Sequence, residues 1–539
     1  MIPLGKQSRV VNAQPSGAAN CLWYLLENIK ATTCILKVGY FIKPPWVSNL
    51  GGVASEHPVA SNVGASVLRS GGNAFDAAVA VSLTLAVVQP HLGGLGSDLV
   101  ALTYDADRGR VEFLNATGWA PAGLSRGLLE SRGLSKVPLR GPLSSVVPGM
   151  LAGLYSMWRR LGSIEWRSLV NHVINAVERG FPAGPSLIKA IRSVVGSNAV
   201  DEAFKATYPI NAEPWDVIKM PKLINALKLI AEWGDDAFYR GEIGESIITH
   251  VNSLGGVFNA SDFKDYRPEW GEAVSIEYRG FTINETPPNT QGLTTLMILK
   301  LLEDYKPSGP FKADRILRHI EAYKVAYRAR DMFIGDPRFI NVPVNDLLNL
   351  SFLRSIGGGS LQGGAGDTTY FVVADGYGNV VSGIQSLYHH FGSLVTDPNY
   401  GITLNNRASD FSLSGPNALE PRKRPLHTLS TVMITRDGEL KYALGTSGAH
   451  YRPQQHALMI TNIIDYGMNP VDAVNAPRFL WSSGELLVED GYETSGLGMR
   501  YTGLSYPSST GVASVLALLN DGFKLLYSDI RGDGLALGP

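Results

Sequence analysis

The segment GDTTYFVVADGYGNVVSGIQS, residues 366–386, decides the fold. Its TYFVVAD half alternates like a β-strand, GYG makes a turn, and NVVSGIQS returns as the antiparallel partner. A run rich in Gly, Ser, Gln and Asp, residues 357–367, precedes the hairpin and resembles a flexible linker. The sequence therefore predicts a flexible approach that runs straight into a rigid hairpin, with Thr368 at the junction.

Outside this hairpin the sequence predicts helices and further hairpins. Asn73 is expected to cap a helix by accepting a hydrogen bond from the Asp76 amide, and this helix is apolar on nearly every face. Residues 150–330 are mostly helical in character, and another hairpin turns around residues 437–438. Helices outside and hairpins inside predict an α/β (α+β) fold in the form of a layered sandwich.

Charge and cysteine content exclude several classes of protein. The 539 residues carry 47 basic and 48 acidic side chains, and the longest basic block is residues 422–424, so no nucleic-acid partner is expected. The only cysteines, Cys21 and Cys34, lie in the first 50 residues, and no HxxxH or HxH spacing occurs. Neither a metal nor another cofactor is therefore expected.

Hydropathy argues against a membrane partner. The longest apolar stretch, residues 77–88, is much shorter than the roughly 20 residues that span a bilayer. The N-terminus shows no convincing signal peptide, so we expect a cytoplasmic protein.

The junction at Thr368 suggests a specific chemistry. A hydroxyl is a poor nucleophile until a base removes its proton, and a Ser, Thr or Cys at a free chain terminus can use its own α-amine as that base. An internal Thr gains such a terminus only when the preceding peptide bond is cut. The pattern also fits an ordinary loop-to-strand junction, so on these residues alone both interpretations stay open.

Ordered motifs along the chain extend well beyond this junction. The motifs are GVASEHPVASNVGASVLRSGGNAFDAAVA (52–80), GGLGSD (93–98), SSVVPGMLAGL (144–154), TPPNTQG (286–292), RDMFIGDPRF (330–339), GDTTYFVVADGYGNVVS (366–382), GITLNNRASDFS (401–412), RPLHTLS (424–430), GTSGAHYRPQQ (445–455) and DIRGDGLALG (529–538). Together they resemble the motifs of the gamma-glutamyltranspeptidase family over nearly the whole chain from Gly51.

This resemblance implies a four-layered αββα sandwich of the N-terminal-nucleophile (Ntn) hydrolase type. It also implies autocatalytic cleavage between Asp367 and Thr368, which gives a large segment, 51–367, and a small segment, 368–539. The two fragments would associate as a heterodimer, with a dimer of these left open. Residues 1–50 are either an N-terminal extension or lie upstream of the true translation start.

Catalytic and substrate-binding roles follow by resemblance at the matching positions. Thr368 is the expected nucleophile, and Gly448 and Ala449 are the expected backbone donors to the oxyanion. Ser386 is the expected hydroxyl that orients Thr368, with an ordinary polar strand residue as the alternative. Asp410 is the expected partner of the substrate α-amino group, although a solvated loop Asp is the alternative.

Three departures from the family pattern concern the substrate pocket. The family's Arg for the α-carboxylate falls at Thr117, its paired serines appear as His427 and Thr428, and an asparagine position appears as Tyr388. Residues 411–425 leave no room for a lid loop, as in the lidless archaeal and acylase-like branch. Arg407 is the candidate replacement anchor for a carboxylate, with a structural Arg as the alternative.

The expected activity is hydrolysis of gamma-glutamyl amides such as glutathione, favoured over transpeptidation. An acylase acting on glutaryl or similar dicarboxylic amides is the second possibility, and a non-catalytic binding homologue is the third. Because Thr117 cannot form a bidentate clamp, we expect weak discrimination between gamma-glutamyl and glutaryl amides.

Overall fold

The computed structural model describes residues 43–359, 366–482 and 484–539. Most of the N-terminal extension, with both cysteines, and the centre of the predicted linker at 360–365 lie outside the described residues.

The strands are β1 Trp46–Ser48, β2 Gly51–Ser55, β3 Asp98–Asp105, β4 Arg110–Ala116, β5 Phe181–Pro182, β6 Val217–Ile218, β7 Glu269–Glu272, β8 Val274–Tyr278, β9 Phe281–Glu285, β10 Asp367–Asp375, β11 Val380–Tyr388, β12 Val432–Arg436, β13 Glu439–Thr446, β14 Phe479–Ser482, β15 Glu485–Glu489, β16 Thr502–Leu504, β17 Ala513–Leu518, β18 Lys524–Ser528 and β19 Leu535–Leu537. The helices are α1 Pro58–Arg69, α2 Ala74–Val88, α3 Pro90–Gly93, α4 Arg126–Ser131, α5 Met150–Leu161, α6 Trp166–Val177, α7 Pro185–Val194, α8 Glu202–Thr207, α9 Pro221–Trp233, α10 Asp236–Tyr239, α11 Glu242–Ser253, α12 Ala260–Lys264, α13 Gly292–Leu302, α14 Ala313–Phe333, α15 Val344–Leu347, α16 Leu350–Ile356, α17 Arg452–Ile464 and α18 Pro470–Asn475. No helix among these is long and apolar enough to cross a membrane.

Two seven-stranded sheets form the centre of the molecule. One has the order β1-β18-β17-β13-β12-β9-β8, and the other has the order β19-β2-β10-β11-β3-β4-β7. Pairing within both sheets is antiparallel throughout.

Side-chain alternation along the strands builds the layers. In β10, Tyr370 and Val372 belong to the core between the two sheets, whereas Phe371 and Val373 face a second core formed with helices α1, α2, α5 and α6. A third core joins the other sheet to α13, α14 and α17. Because successive strand residues point to opposite faces, this hairpin is buried on both sides. The predicted four-layered αββα sandwich is confirmed.

Helix α2 begins and packs as its sequence predicts. Asn73 Oδ1 accepts from the Asp76 amide at 3.0 Å, and the Asp76 carboxylate accepts in return from the Asn73 amide. All fifteen helical residues are buried. A helix that is apolar on nearly every face belongs between other layers, where it supports the outer face of β10 and β11.

Residues 43–50, which the sequence groups with the extension, are packed against the core. Strand β1 pairs with β18, and the Trp46 indole donates to the carbonyl oxygen of Gly51 at 3.1 Å. Lys43 Nζ donates to the carbonyl oxygens of Asp529 and Gly532 at 2.7 and 2.6 Å. The packed unit therefore begins at Lys43, eight residues before the start at Gly51 drawn from the sequence.

This packing gives a stability prediction. Removing residues 1–50 should lower the free energy of unfolding by about 2–4 kcal/mol relative to removing residues 1–42, because strand β1 and the Trp46 contacts are lost. Urea denaturation of the two truncated proteins measures the difference. Equal midpoints would contradict the contribution of β1.

Candidate active site

Thr368 lies at an irregularity in the pairing of β10 with β11. Across this stretch the single residue Thr368 faces two residues of β11, Ser386 and Leu387. Such a bulge re-aims side chains and is common beside active sites. Thr368 Oγ1 donates to Ser386 Oγ at 3.3 Å, and Ser386 Oγ donates to the carbonyl oxygen of Asp367 at 2.6 Å. The two hydroxyls thus link the expected nucleophile to the peptide bond expected to break.

The side chain of Asp367 is bound by His390. His390 lies 3.0 Å from Asp367 Oδ1 through its Nε2, and the His390 amide donates to Oδ2 at 3.2 Å. Gly366 passes so close to Ala449 and to the backbone of Tyr388 that a Cβ there would meet them at 2.8 and 2.9 Å. Only glycine therefore lets the chain approach Thr368 along this path.

Gly448 and Ala449 form a tight turn beside the junction. Gly448 has φ 138°, where a Cβ would overlap with the Gln455 side chain, and Ala449 has φ 45°. Among the described residues, neither backbone amide has an acceptor. The Ala449 carbonyl is fixed by a bond from Gln291 Nε2 at 2.7 Å. Two unpaired amides on a rigid turn suit a developing oxyanion.

Arg407, Thr428 and Asp410 form the neighbouring polar pocket. Arg407 is fully buried and donates from Nη1 to Thr428 Oγ1 at 2.9 Å, while its guanidinium stacks on the Tyr388 ring at 4.0 Å. Among the described groups, its Nε and Nη2 have no acceptor. Asp410 Oδ2 lies 3.8 Å from Nη1 and receives no hydrogen bond within the described part of the chain. Unpaired donors and an unpaired acceptor therefore stand side by side.

The second oxygen of Asp410 is already occupied. Tyr388 donates its hydroxyl to Asp410 Oδ1 at 3.0 Å, and His450 Nε2 lies 3.5 Å from the same oxygen. Burial opposes ionisation, yet His450, Arg407 and the Tyr388 hydroxyl together hold the pKa of Asp410 below its ordinary value. A lowered pKa keeps this carboxylate ionised at neutral pH, as binding of an ammonium group requires.

Comparisons with known proteins show to which family the chain with this site belongs. The sequence model of the family described as gamma-glutamyltranspeptidase matches residues 60–538. The chain belongs to the gamma-glutamyltranspeptidase family. It is 36% identical to the glutathione hydrolase-like YwrD proenzyme of Bacillus subtilis over 522 residues, covering 90% of this chain and 98% of that protein. It is 32% identical to the glutathione hydrolase proenzyme of Escherichia coli over 483 residues, covering 82% and 83%.

Among solved structures, the cephalosporin acylase from Bacillus halodurans matches with a TM-score of 0.88 and 29% identity, covering 93% of this chain and 98% of that one. The chain is thus an enzyme of the glutathione hydrolase and gamma-glutamyltransferase type, with hydrolase and acyltransferase chemistry at the level of the family.

In this member of the gamma-glutamyltranspeptidase family, two residues that the resemblance places near the substrate form hydrogen bonds to other protein groups instead. His427 is fully buried, with Nε2 2.9 Å from Asp98 Oδ2 and Nδ1 accepting from the Leu429 amide. Burial lowers the pKa of His427 well below its ordinary value. Both ring nitrogens are used, so His427 has no free nitrogen for a substrate. Thr117 Oγ1 likewise donates to Asn115 Oδ1 at 2.7 Å.

Sequence reasoning missed other members of the site. Arg452, inside the quoted motif GTSGAHYRPQQ, donates from Nη2 to Thr368 Oγ1 at 3.0 Å. Arg330 donates to His450 Nδ1 at 3.1 Å and to Gln291 Oε1 at 3.2 Å. Each of these residues lies in a family motif, which is the signal that could have drawn attention to them. No group of metal-binding side chains occurs among the residues that the structure describes.

Proposed function

We propose that the chain cuts itself before Thr368 and then hydrolyses gamma-glutamyl amides, glutathione among them, through an ester on the Thr368 hydroxyl. The hydrogen-bonded path from Thr368 Oγ1 through Ser386 Oγ to the Asp367 carbonyl carries this proposal. This path links the attacking hydroxyl of Thr368, a second hydroxyl that can carry its proton, and the carbonyl group that would be attacked.

Self-cleavage follows from this path. Thr368 Oγ1 attacks the carbonyl carbon of Asp367, and its proton passes through Ser386 to the leaving nitrogen of Thr368. The C–N bond breaks and an ester remains between Asp367 and the Thr368 side chain. Water then hydrolyses the ester, which leaves a free carboxylate on Asp367 and a free α-amine on Thr368.

Substrate hydrolysis repeats the attack on an external amide. The free α-amine takes the hydroxyl proton and delivers it to the departing amine, while the amides of Gly448 and Ala449 face the oxyanion. Water releases the acyl group. We propose hydrolysis rather than transfer because the segment at 411–425 is too short for a lid loop that would keep water from the acyl group.

The pair formed by Arg407 and Asp410 supports a gamma-glutamyl substrate. Two unpaired guanidinium donors match an α-carboxylate, and the adjacent unpaired oxygen of Asp410 matches an α-ammonium group. Each buried donor left unpaired costs about 1–3 kcal/mol, which a bound carboxylate offsets. Arg407 would then bind the α-carboxylate in place of the family's Arg, whose position is occupied here by Thr117.

A glutaryl-type amide is the second candidate. One oxygen of Asp410 is already taken by Tyr388, so the pocket offers an ammonium group only one free acceptor. A dicarboxylic acyl group needs the Arg407 anchor alone. The fold similarity to a cephalosporin acylase is consistent with this possibility.

Two substitutions separate these candidates. Asp410→Asn should lower kcat/KM for gamma-glutamyl anilide by about 10- to 100-fold and leave glutaryl anilide within about threefold, since it removes roughly 1.5–3 kcal/mol of charge-assisted bonding to the ammonium group only. Arg407→Ala should weaken both substrates. Steady-state kinetics on the two anilides give the four ratios, and an equal loss on both for Asp410→Asn would argue against ammonium recognition.

A further inference from the structure

Arg452 is a buried cation directed at the nucleophile. Its Nε donates to the Thr446 carbonyl at 2.7 Å and its Nη2 donates to Thr368 Oγ1 at 3.0 Å. Its Nη1 has no acceptor among the described residues. Glu285, one of the carboxylates whose field acts on it, is bound to His456 at 2.8 Å instead. A buried guanidinium without an ion pair is costly, so its position calls for a functional reason.

Arg452 places a buried positive charge at hydrogen-bond distance from Thr368 Oγ1, and the field of this charge acts on Thr368. Burial and the nearby cation Arg407 lower the pKa of Arg452 to about 9, while Glu285, Glu56 and Tyr327 act in the opposite direction. Burial also raises the pKa of Glu56 well above its ordinary value, which opposes ionisation of this carboxyl. The guanidinium itself remains a cation at pH 7.

This field acts on the group that cleavage creates. An unperturbed α-amine has a pKa of about 7.7–8.0 and is mostly protonated at pH 7, where it cannot accept a proton. In Thr368 the α-nitrogen and Oγ1 are separated by three bonds, so a cation bound to Oγ1 also lies close to the amine. A neighbouring positive charge disfavours the ammonium form and lowers its pKa.

We propose that Arg452 is a catalytic residue that keeps the freed α-amine of Thr368 unprotonated near neutral pH and supports Oγ1 as it loses its proton. This inference rests on the proposed self-cleavage, which creates the amine.

The test compares Arg452→Gln with Arg452→Lys, which keeps the charge. Acetylation of the Thr368 amine by trace acetic anhydride, followed by mass spectrometry across pH, reports its pKa without any substrate. We expect Arg452→Gln to raise that pKa by about one unit, and the acid limb of the kcat/KM profile for gamma-glutamyl anilide to move with it. Arg452→Lys should stay within about 0.3 unit of the parent.

Failure of the two proposals is distinguishable. A small fragment that does not begin at Thr368 would sink the self-cleavage and this inference together. A correct terminus whose pKa is the same in the parent and in Arg452→Gln would overturn the inference alone. If Arg452→Gln stays uncut, producing the two segments from separate reading frames, with the initiator Met removed before Thr368, supplies the same terminus for titration.

Discussion

Thr368→Ala should remain a single uncut chain with hydrolysis reduced to background. In the proposed mechanism the hydroxyl is the attacking atom in self-cleavage and again in substrate hydrolysis, and Ser386, its hydrogen-bond partner, has no free α-amine to replace it. The loss should be about 10⁴-fold or more, because both steps lose their nucleophile. A denaturing gel and an anilide assay on the purified protein measure both effects.

Thr368→Ser is the matched control. A primary hydroxyl at the same place can still attack, so this variant should be cut and active. The small fragment of the parent should begin at Thr368, which N-terminal sequencing measures. Normal cleavage of Thr368→Ala would show that another residue attacks the chain.

Gly448→Ala should reduce kcat by about 10²–10³-fold, the usual cost of losing an oxyanion donor. Gly448 has φ 138°, and a Cβ would overlap with the Gln455 side chain, so the turn must shift and its amide must re-aim. Circular dichroism and kcat for gamma-glutamyl anilide, measured on the cut enzyme, separate misfolding from misalignment.

Ala449→Gly provides the control on the neighbouring residue. Ala449 already has φ 45°, a region that glycine occupies freely, so kcat should stay within about threefold. A similar loss in both variants would mean that the turn serves stability rather than the oxyanion.

Local sequence was sufficient for the hairpin that carries Thr368 and for the helix that packs behind it. The Asn73 cap, the largely apolar helix α2 and the hairpin of β10 and β11 each depend on residues a few positions apart, and each was predicted. Predicting the four layers required the family resemblance as well, because the residues of a hairpin do not specify which other strands pair with it.

Long-range side-chain partners could not be predicted in the same way. Arg452 reaches Thr368 across 84 residues, and His427 meets Asp98 across 329. Nothing in the local pattern distinguishes an arginine that touches the nucleophile from one on the surface. For Arg452 the packing of α17 against the sheets decides it, whereas His427 is held by backbone hydrogen bonds with Asn289 and Gln291.

The strand order has a consequence for the molecule after it is cut. Strand β2, from the segment before Asp367, lies between β10 and β19 from the segment after it, and β11 lies against β3. In the other sheet β1 borders β18 and β9 borders β12. The two polypeptides that the proposed cleavage gives would therefore alternate strand by strand, and neither could leave without breaking the strand pairing in both sheets. Although the cut enzyme would consist of two chains, we expect it to unfold in one cooperative transition. Neither chain should fold when it is synthesised without the other.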